Sequence, residues 1–259
     1  MKTFPKISII TPSFNQGKYL ERTILSVVDQ NYPNLEYIII DGGSTDNSVE
    51  IIKKYEGRIS YWISEKDRGQ SHAINKGFQK ATGDIVAWIN SDDWYEAGVF
   101  EEVCRNYAHD SRGIWIGDCI VQYEGRSKSR ILRPKKVTFN SMLRYWKSNF
   151  CPPQPSIFFS YNCLKKVGFL DEQLHYAMDL DLWLKMARHF NFYYVPKIFS
   201  NYLIHNESKS GAGKGFKKFR KEWRMVCFRH LKMTSFSERM FFYWDYYYHH
   251  LFKPSSLTE

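Results

Sequence analysis

The sequence lacks the long apolar segments of integral membrane and exported proteins. No run of about 18 consecutive apolar residues occurs in its 259 residues, which excludes a simple membrane-spanning helix. Its first 15 residues, MKTFPKISIITPSFN, have no apolar core of signal-peptide length before Pro5 and Pro12. We therefore expect no export and a cytoplasmic location.

Paired cysteines are also lacking. The five cysteines are an odd number, and no two of them form a CxxC pair. Free thiols in a reducing cytoplasm therefore fit better than a disulfide framework or a zinc site. Hydrophobic residues at 43% and charged residues at 25% are ordinary for a soluble globular protein, which excludes a disordered chain, a collagen-like chain and a coiled coil.

The formal net charge of +10 is unevenly distributed along the chain. Residues 1–122 carry a net −4 and residues 151–213 a net +1, whereas residues 123–150 carry +7 and residues 214–259 carry +6. A basic excess indicates a nucleic acid, an anionic membrane or a phosphorylated ligand as partner. Because the front half is acidic, we expect no nucleic acid as a partner.

Short β-branched runs alternate with helical patterns over the first hundred residues. The pattern predicts strands at 7–11, 37–40, 59–63 and 85–89, and helices at 18–30, 49–55 and 69–81. Such alternation is typical of a parallel sheet covered by helices on both faces, so the fold class is α/β. The second half is less regular, with strands predicted at 114–122, 154–159 and 192–195 and helices at 141–146 and 181–190.

Polar residues follow each predicted strand of the front half. The strands lead into the segments Thr11–Asn15, Asp41–Asp46, Glu65–Gly69 and Asn90–Asp93. Because ligands bind beyond the carboxyl ends of parallel strands, these segments would form one acidic crevice. Neighbouring carboxylates suit a hard divalent ion that completes its coordination with water and diphosphate oxygens. The cofactor that we expect is Mn²⁺ or Mg²⁺.

Two stretches of the sequence resemble a known enzyme family. The run TPSFNQGKYLERTILSVVDQNYPNLEYIIIDGGSTDNSVEII, followed by DRGQSHAINKGFQKATGDIVAWINSDD, resembles the family 2 glycosyltransferases of the GT-A fold in the order and spacing of its motifs. VGFLDEQLHYAMDLDLWLKMA is similar to a later segment of that family, where an acidic pair precedes a helix. The resemblance implies a Rossmann-like, mixed and mainly parallel sheet flanked by helices.

The resemblance also implies roles for single residues. The implied nucleotide-binding positions are Thr11, Pro12, Ser13, Asn15, Asp41, Arg68, Asn90 and Ser91. Asp92, at the family's "DXD" position, would bind the metal with His205, and Asp179 would be the catalytic base. Met178 replaces the glutamate that precedes this base in the family. Asp93 and Gln154 are expected on the acceptor side.

The implied reaction is an inverting, metal-dependent transfer of a hexose from a nucleotide sugar, with UDP favoured through Asp41. By analogy with inverting glycosidases, inversion needs one carboxylate to take the proton of the acceptor hydroxyl. The metal would stabilise the diphosphate leaving group as a Lewis acid. The resemblance further implies a saccharide acceptor, lipid-linked, in cell-surface polysaccharide biosynthesis.

The last part of the chain is basic and aromatic. We expect a GT-A domain at 1–213, divided into a nucleotide-sugar-binding half (1–100) and an acceptor and catalytic-base half (101–213), followed by a helical extension at 214–259. Thirteen aromatic residues lie between Lys214 and Lys253. Basic residues with interleaved aromatics are typical of a helix on an anionic membrane, here the inner face of the cell membrane. The alternative is a helix pair that packs on the domain or on a homodimer partner.

Simpler structural interpretations stand beside several of these roles. A turn capped by Ser44 or Asp46 also explains the segment after Asp41, and a surface ion pair also explains Arg68. His205 is alternatively an ordinary loop histidine. For the whole chain, one alternative is a nucleic-acid- or membrane-binding module, and another is a nucleotidyltransferase. The latter would need a glycine- and lysine-rich phosphate loop, which TPSFNQGKYL is not.

Overall fold

The computed structural model describes residues 4–144, 152–209 and 214–252, with side chains from 218 to 248 in the last range. Its strands are β1 (Ile7–Ser13), β2 (Leu35–Asp41), β3 (Tyr61–Ser64), β4 (Ile85–Trp88), β5 (Trp94–Tyr95), β6 (Ile114–Tyr123), β7 (Ser129–Leu132), β8 (Ile157–Ser160) and β9 (Phe192–Ile204). Its α-helices are α1 (Gly17–Val28), α2 (Ser48–Lys54), α3 (Gln70–Lys80), α4 (Val99–His109), α5 (Phe139–Leu143), α6 (Tyr161–Val167), α7 (Met178–Met186), α8 (Lys214–Leu231) and α9 (Phe236–Phe252). Cys151 and the end of the helix predicted at 141–146 lie outside the described residues.

The first four long strands form a parallel half-sheet in the order β3-β2-β1-β4. In this register Ile7 lies between Leu35 and Ile85, and Ser13 pairs with Asp41. The predicted α/β class, these strands and the helices between them are confirmed, with bounds that shift by at most two residues. The carboxyl ends of the strands meet at one edge of the sheet, where the polar segments follow them.

The second half of the sheet is mixed. β8 pairs antiparallel with β4 and β6, β6 pairs in parallel with β9, and β5 pairs antiparallel with β9. The strand predicted at 154–159 begins as a 3₁₀ turn over Gln154–Ser156, because Pro155 has no N–H to donate to a sheet ladder. The pattern does not predict α4, α6 or the exposed edge strand β7.

Both faces of the central strands are buried, which explains their continuous apolar runs. Alternate side chains point to opposite faces, so Ile9 and Ile39 join one hydrophobic cluster and Ile10 and Ile40 the other. The first cluster includes residues of α1, α2 and α4, and the second includes residues of α3, α7 and α8. Trp88 of β4 is buried in the second cluster, where it stacks on Trp183 of α7 at a ring distance of 5.1 Å.

The helical pair α8 and α9 packs onto this second cluster. Trp223, Val226 and Leu231 of α8 are buried in it, and α9 reaches it through Phe242, whose ring meets Phe228 at 5.8 Å. The opposite face of α9 is exposed. Within the described ranges, no helix combines the length and the apolar character that crossing a membrane requires.

Candidate active site

The first two loops at the carboxyl edge are bonded to each other. Asn15 donates its N–H to Ser44 Oγ at 2.8 Å, and its Oδ1 accepts from the N–H of Thr45 at 2.8 Å. Asn15 has a φ of 52°, a conformation that asparagine adopts more readily than most residues. The two loops therefore form one continuous surface beside the ends of β1 and β2.

Thr11, Pro12 and Ser13 are the last residues of β1, and all three are buried. The Thr11 hydroxyl is bonded to Tyr37 at 3.1 Å. Among the described residues, Ser13 Oγ finds no hydrogen-bond partner although it is buried. A buried hydroxyl without a partner is costly, so Ser13 is the member of this group that a ligand would satisfy. The nucleotide-binding role of all three stays a prediction.

Asp41 is completely buried and holds the turn that follows β2. Its carboxylate accepts from the N–H groups of Gly43 and Ser44 at 3.1 and 2.9 Å and from the hydroxyls of Ser44 and Ser64 at 2.5 and 2.7 Å. These bonds agree with the interpretation of the segment as a turn. The expected N-cap is wrong, because the N-cap residue of α2 is Asn47 and not Ser44 or Asp46. Contact with a uracil ring stays a prediction.

The two predicted metal ligands lie side by side, although 113 positions separate them in the sequence. Asp92 Oδ2 is 3.0 Å from His205 Nε2. The imidazole is buried against the ring of Tyr19, with the ring centroids 4.6 Å apart, while the carboxylate is partly exposed. His205 directly follows β9, and β9 pairs with β5 just after Asp92. This strand pairing brings the two side chains together.

Asp93, the next residue after Asp92, is completely buried. Its Oδ1 accepts from the N–H of Leu203 at 3.0 Å, and its Oδ2 accepts from Asn90 at 3.3 Å. Burial and then the charge of Asp92 raise the pKa of Asp93 well above its ordinary value. Asp93 thus connects β9 to the loop after β4. Its acceptor-side role stays a prediction.

The donor set fits a divalent ion that takes few protein ligands. Within the part of the chain that the structure describes, no three His, Cys, Asp or Glu side chains are grouped to hold a metal by themselves. Asp92 and His205 would supply one carboxylate oxygen and one imidazole nitrogen. Mg²⁺ and Mn²⁺ sites in phosphate chemistry commonly use one or two protein groups, with water and diphosphate oxygens in the remaining positions.

A chain of amide side chains runs across the site. Gln70 donates to Asn90 Oδ1 at 2.7 Å, Asn90 donates to Gln154 Oε1 at 3.1 Å, and Gln154 donates to Trp88 O at 2.8 Å. Lys209 extends the chain by donating to Gln70 Oε1 at 2.8 Å. The predicted residues Asn90 and Gln154 are therefore neighbours. Ser91, also predicted, is buried, and its carbonyl accepts from Thr23 at 2.9 Å.

Sequence reasoning missed Gln70, Lys209, Tyr19 and Thr23. Tyr19 and Thr23 are four positions apart on α1, so they share one helix face, and that spacing was the available signal. Gln70 begins α3 inside the quoted DRGQSHA stretch. For Lys209 the sequence holds no comparable signal, since it lies in a loop 139 positions from its partner.

Asp179 is in the first turn of α7 and is partly buried. Burial raises the pKa of Asp179 from an ordinary value of 3.8 to about 6, with a smaller contribution from the charge of Glu222, while Lys209 opposes the rise. A carboxylate with a pKa near neutrality suits proton abstraction. The role of Asp179 as catalytic base stays a prediction. Lys209, whose charge acts on Asp179, also donates to Gln70 of the amide chain.

Arg68, a predicted nucleotide-binding residue, is paired with a carboxylate of the protein. Its guanidinium is largely exposed and lies 2.6 Å from Glu172 Oε2. This is the surface ion pair of the structural interpretation. Contact of Arg68 with a nucleotide stays a prediction.

A family model described as Glycosyl transferase family 2 matches residues 8–166. The chain belongs to this family. The match includes the loops after β1, β2 and β4, while Asp179 and His205 lie beyond it.

Several curated relatives are similar to this family member over different lengths. It is 24% identical over 282 residues to the GalNAc(5)-diNAcBac-PP-undecaprenol beta-1,3-glucosyltransferase of Campylobacter jejuni, covering 98% of this chain and 89% of the relative. It is 26% identical over 212 residues to an uncharacterized glycosyltransferase of Rickettsia typhi, covering 78% of this chain. A Haemophilus influenzae glycosyltransferase, also uncharacterized, is 32% identical over 147 residues, or 54% of this chain. The chain spans 65% and 58% of the length of these last two relatives.

Solved structures share the fold. TarS 1–349 of S. aureus, in complex with UDP-GlcNAc, has a TM-score of 0.70 at 18% identity, covering 92% of this chain and 69% of that one. The mannosyltransferase PcManGT of Pyrobaculum calidifontis, in complex with GDP-Man and Mn²⁺, has a TM-score of 0.62 at 15% identity, covering 98% and 82%. The GT-A fold predicted from the sequence is confirmed.

Proposed function

We propose that this family 2 chain moves a hexose from a UDP-sugar to a hydroxyl of a saccharide, with inversion at the anomeric carbon. The observation that carries the proposal is the pair formed by Asp92 and His205, 3.0 Å apart at the carboxyl edge of the sheet. The ligands of the structural neighbours, UDP-GlcNAc in TarS and GDP-Man with Mn²⁺ in PcManGT, support a nucleotide sugar and a metal.

Asp92 Oδ2 and His205 Nε2 would hold Mn²⁺ or Mg²⁺, and the imidazole favours Mn²⁺. When bound, the ion would neutralise the charge that develops on the diphosphate leaving group. Ser13 would offer its hydroxyl, and Asn90 and Ser91 would contact the donor from the loop after β4. Asp41 would reach the uracil ring, and Arg68 and Asn15 would border the nucleotide.

Asp179 would take the proton from the acceptor hydroxyl as that oxygen attacks the anomeric carbon. With a pKa of about 6, its carboxylate is ionised at neutral pH and still basic enough to accept a proton. General-base assistance contributes roughly 10²–10⁴-fold to a rate. Because no second carboxylate takes part as a nucleophile, an α-linked donor sugar gives a β-linked product.

A saccharide on a polyprenyl diphosphate lipid is the acceptor class that we infer. The Campylobacter relative, which aligns with 98% of this chain, is named for such a substrate. The enzyme would then act in cell-surface polysaccharide biosynthesis, in the cytoplasm at the inner face of the membrane. Gln154 and Asp93, which are both bonded to Asn90, would lie on the acceptor side of the donor.

The exposed face of α9 would rest on that membrane. Phe236, Met240 and Trp244 follow one another at helical spacing and are 73%, 55% and 63% exposed. Lys218, Lys221 and Arg224 of α8 are exposed as well and would attract anionic headgroups. Aromatic side chains beside basic ones suit the headgroup region of a bilayer. A homodimer built on the same face is the competing explanation.

A panel of nucleotide sugars, each with Mn²⁺ or Mg²⁺, tests the enzymatic proposal through release of the nucleoside diphosphate. We expect release from a UDP-sugar, loss of release with a chelator, and at least a hundredfold lower rate for Asp92→Asn. Lys53→Gln, an exposed change on α2, is the control and should match the wild type. Absence of release from every sugar, or release that neither the chelator nor Asp92→Asn affects, would contradict the proposal.

A further inference from the structure

Helix α8 holds the segment that enters the base-bearing helix α7. Glu222 Oε1 accepts hydrogen bonds from three consecutive backbone N–H groups, those of His175, Tyr176 and Ala177, at 2.7, 2.8 and 3.0 Å. Ala177 is the N-cap residue of α7 and its side chain cannot cap the helix. A carboxylate on successive N–H groups makes charge-assisted bonds, which are stronger than neutral ones.

A second contact between the same helices lies farther along α7. Asp181 is completely buried, and its carboxylate meets His230 Nε2 of α8 at 2.8 Å and Lys185 Nζ at 2.7 Å. The two contacts are at positions 177 and 181, and Asp179 is midway between them. The backbone of the turn that carries Asp179 is therefore fixed to α8 on both sides.

Within the described ranges, the Asp179 carboxylate accepts hydrogen bonds from backbone N–H groups of its own turn, that of Leu180 at 2.7 Å. No side chain of those ranges donates a hydrogen bond to it. The orientation of the carboxylate thus depends on where the first turn of α7 sits.

We propose that Glu222 is a positioning residue for the catalytic base, holding the entry to α7 so that Asp179 faces the acceptor hydroxyl. The proposal rests on the proposed function of Asp179. Glu222 lies 43 positions after Asp179, in a segment that the family model does not match. The helical extension would thereby contribute to catalysis as well as to the core.

The charge of Glu222 gives the proposal a measurable consequence. Burial raises the pKa of Asp179 most, and backbone N–H groups of its own turn oppose that rise. The charged groups that act on it are Glu222 from α8, which raises it, and Lys209 from the loop after β9, which lowers it. Lys209 in turn faces Asp67 and Glu222. Replacing Glu222 by a neutral residue removes the nearby negative charge, so the pKa of Asp179 should fall and the acid limb of the rate profile should move to lower pH.

The experiment compares Glu222→Ala and Glu222→Gln, using the UDP-sugar found in the panel above and UDP itself. In Glu222→Ala we expect kcat to fall about tenfold to a hundredfold, as a displaced reacting group does, while the donor KM and the Kd of UDP stay within twofold. Glu222→Gln keeps an acceptor oxygen, so it should recover part of kcat and yet show the shifted acid limb. It also serves as the second variant if Glu222→Ala does not fold.

Hydrogen exchange of the 175–177 amides supplies a readout that does not depend on turnover. These amides should exchange at least tenfold faster in Glu222→Ala than in the wild type. Glu238→Ala is the matched control, because Glu238 likewise accepts from a backbone N–H, that of Ser235, at the start of α9. It should alter neither kcat nor this exchange.

Two results would separate the proposals. Faster exchange with an unchanged kcat and an unchanged acid limb would overturn the positioning role while leaving Asp179 as the base. Full activity of Asp179→Asn would instead overturn the base assignment on which the positioning role depends.

Discussion

At the scale of single residues, the buried Asp179 carboxylate lowers the stability of the fold when it is charged. Its pKa in the folded protein, about 6, is above the ordinary value of 3.8, because burial disfavours the charged form. Between these two pH values the folded chain binds more protons at this position than the unfolded chain. Stability therefore falls as pH rises through that window, and the full cost is present above pH 6.

Asp179→Asn should abolish transfer and at the same time stabilise the protein. We expect kcat to fall at least a hundredfold, because the amide cannot take the acceptor proton. We also expect a higher Tm than that of the wild type at pH 8 and an equal Tm near pH 3.5, where both side chains are neutral. Thermal unfolding followed at the two pH values, together with transfer assays, measures both effects.

Asp110→Asn is a suitable control for this stability effect. Hydrogen bonds from Arg112 and Tyr193 lower the pKa of Asp110, so the sign of its pH dependence is opposite. An Asp179→Asn protein that is less stable than the wild type at pH 8 would show that burial does not dominate at this position.

At the scale of elements, α3 lies very close to the sheet at Gly77. A Cβ atom added there would lie 2.4 Å from Ile10 Cγ2 and 3.2 Å from Ile10 Cβ. Ile10 is a buried, β-branched residue in the middle of β1, so its side chain has few other rotamers to adopt. α3 can therefore lie this close to β1 because Gly77 has no side chain.

Gly77→Ala should lower the stability although alanine is the better helix former. Overpacking of a core typically costs about 1–3 kcal/mol, while the gain in helix propensity returns at most about 1 kcal/mol. We expect a lower Tm, by about 2–4 °C for each kcal/mol of net loss. Gly57→Ala is the control, because a Cβ atom there meets nothing within 4 Å. An equal Tm for both variants would contradict the close packing of α3 on β1.

Elements with a strong periodic pattern could be predicted from the sequence, and those made by distant contacts could not. β1, β2 and β4 contain short apolar runs because both faces of these strands are buried, and polar residues follow each run. β7 could not be predicted because it is an exposed edge strand with a mixed pattern. The antiparallel orientation of β8 could not be predicted either, because it is seen only in the pairing of β8 with β4, which no local sequence pattern shows. The 3₁₀ turn that contains Pro155 directly precedes this strand.

The same distinction holds within the site. Asp92, Asp179 and His205 are predicted from motifs of the resembling family. Lys209 and Glu222 are not predicted, because their partners, Gln70 and the N–H of His175, are distant in the sequence. The sequence correctly indicates a basic, aromatic helical segment after residue 213. The alternative prediction, a helix pair that packs on the domain, agrees with the burial of Trp223 and Val226 in the main hydrophobic cluster, although the sequence does not identify these two residues. A pattern shows which face of a helix is apolar but not what that face will cover.

At the scale of the whole molecule, we predict that the exposed face of α9 binds anionic bilayers. Deleting residues 214–259 would also remove core side chains, so point variants test the surface more cleanly. The triple variant Phe236→Ser, Met240→Ser and Trp244→Ser should lower partitioning onto phosphatidylcholine–phosphatidylglycerol vesicles by about tenfold or more, since each apolar side chain contributes up to 1.5–3 kcal/mol when buried. Cosedimentation measures the loss.

Phe4→Ser, which changes an exposed aromatic residue far along the chain from α9, should bind vesicles like the wild type. Binding should weaken with salt, because the basic residues of α8 act through screened charges. Vesicle binding that is unchanged in the triple variant, with a shift from dimer to monomer on a sizing column, would assign the face of α9 to a second copy of the chain.

The pairing of β5 with β9 has a consequence for a chain that is still being synthesised. Asp92 of the proposed metal pair is synthesised 113 residues before His205, which follows β9. A nascent chain that emerges from its N-terminus could form the parallel half-sheet, yet it would have only one of the two groups for the ion. Under the proposed function, the pair that would bind the ion thus becomes complete only when β9 has joined the sheet.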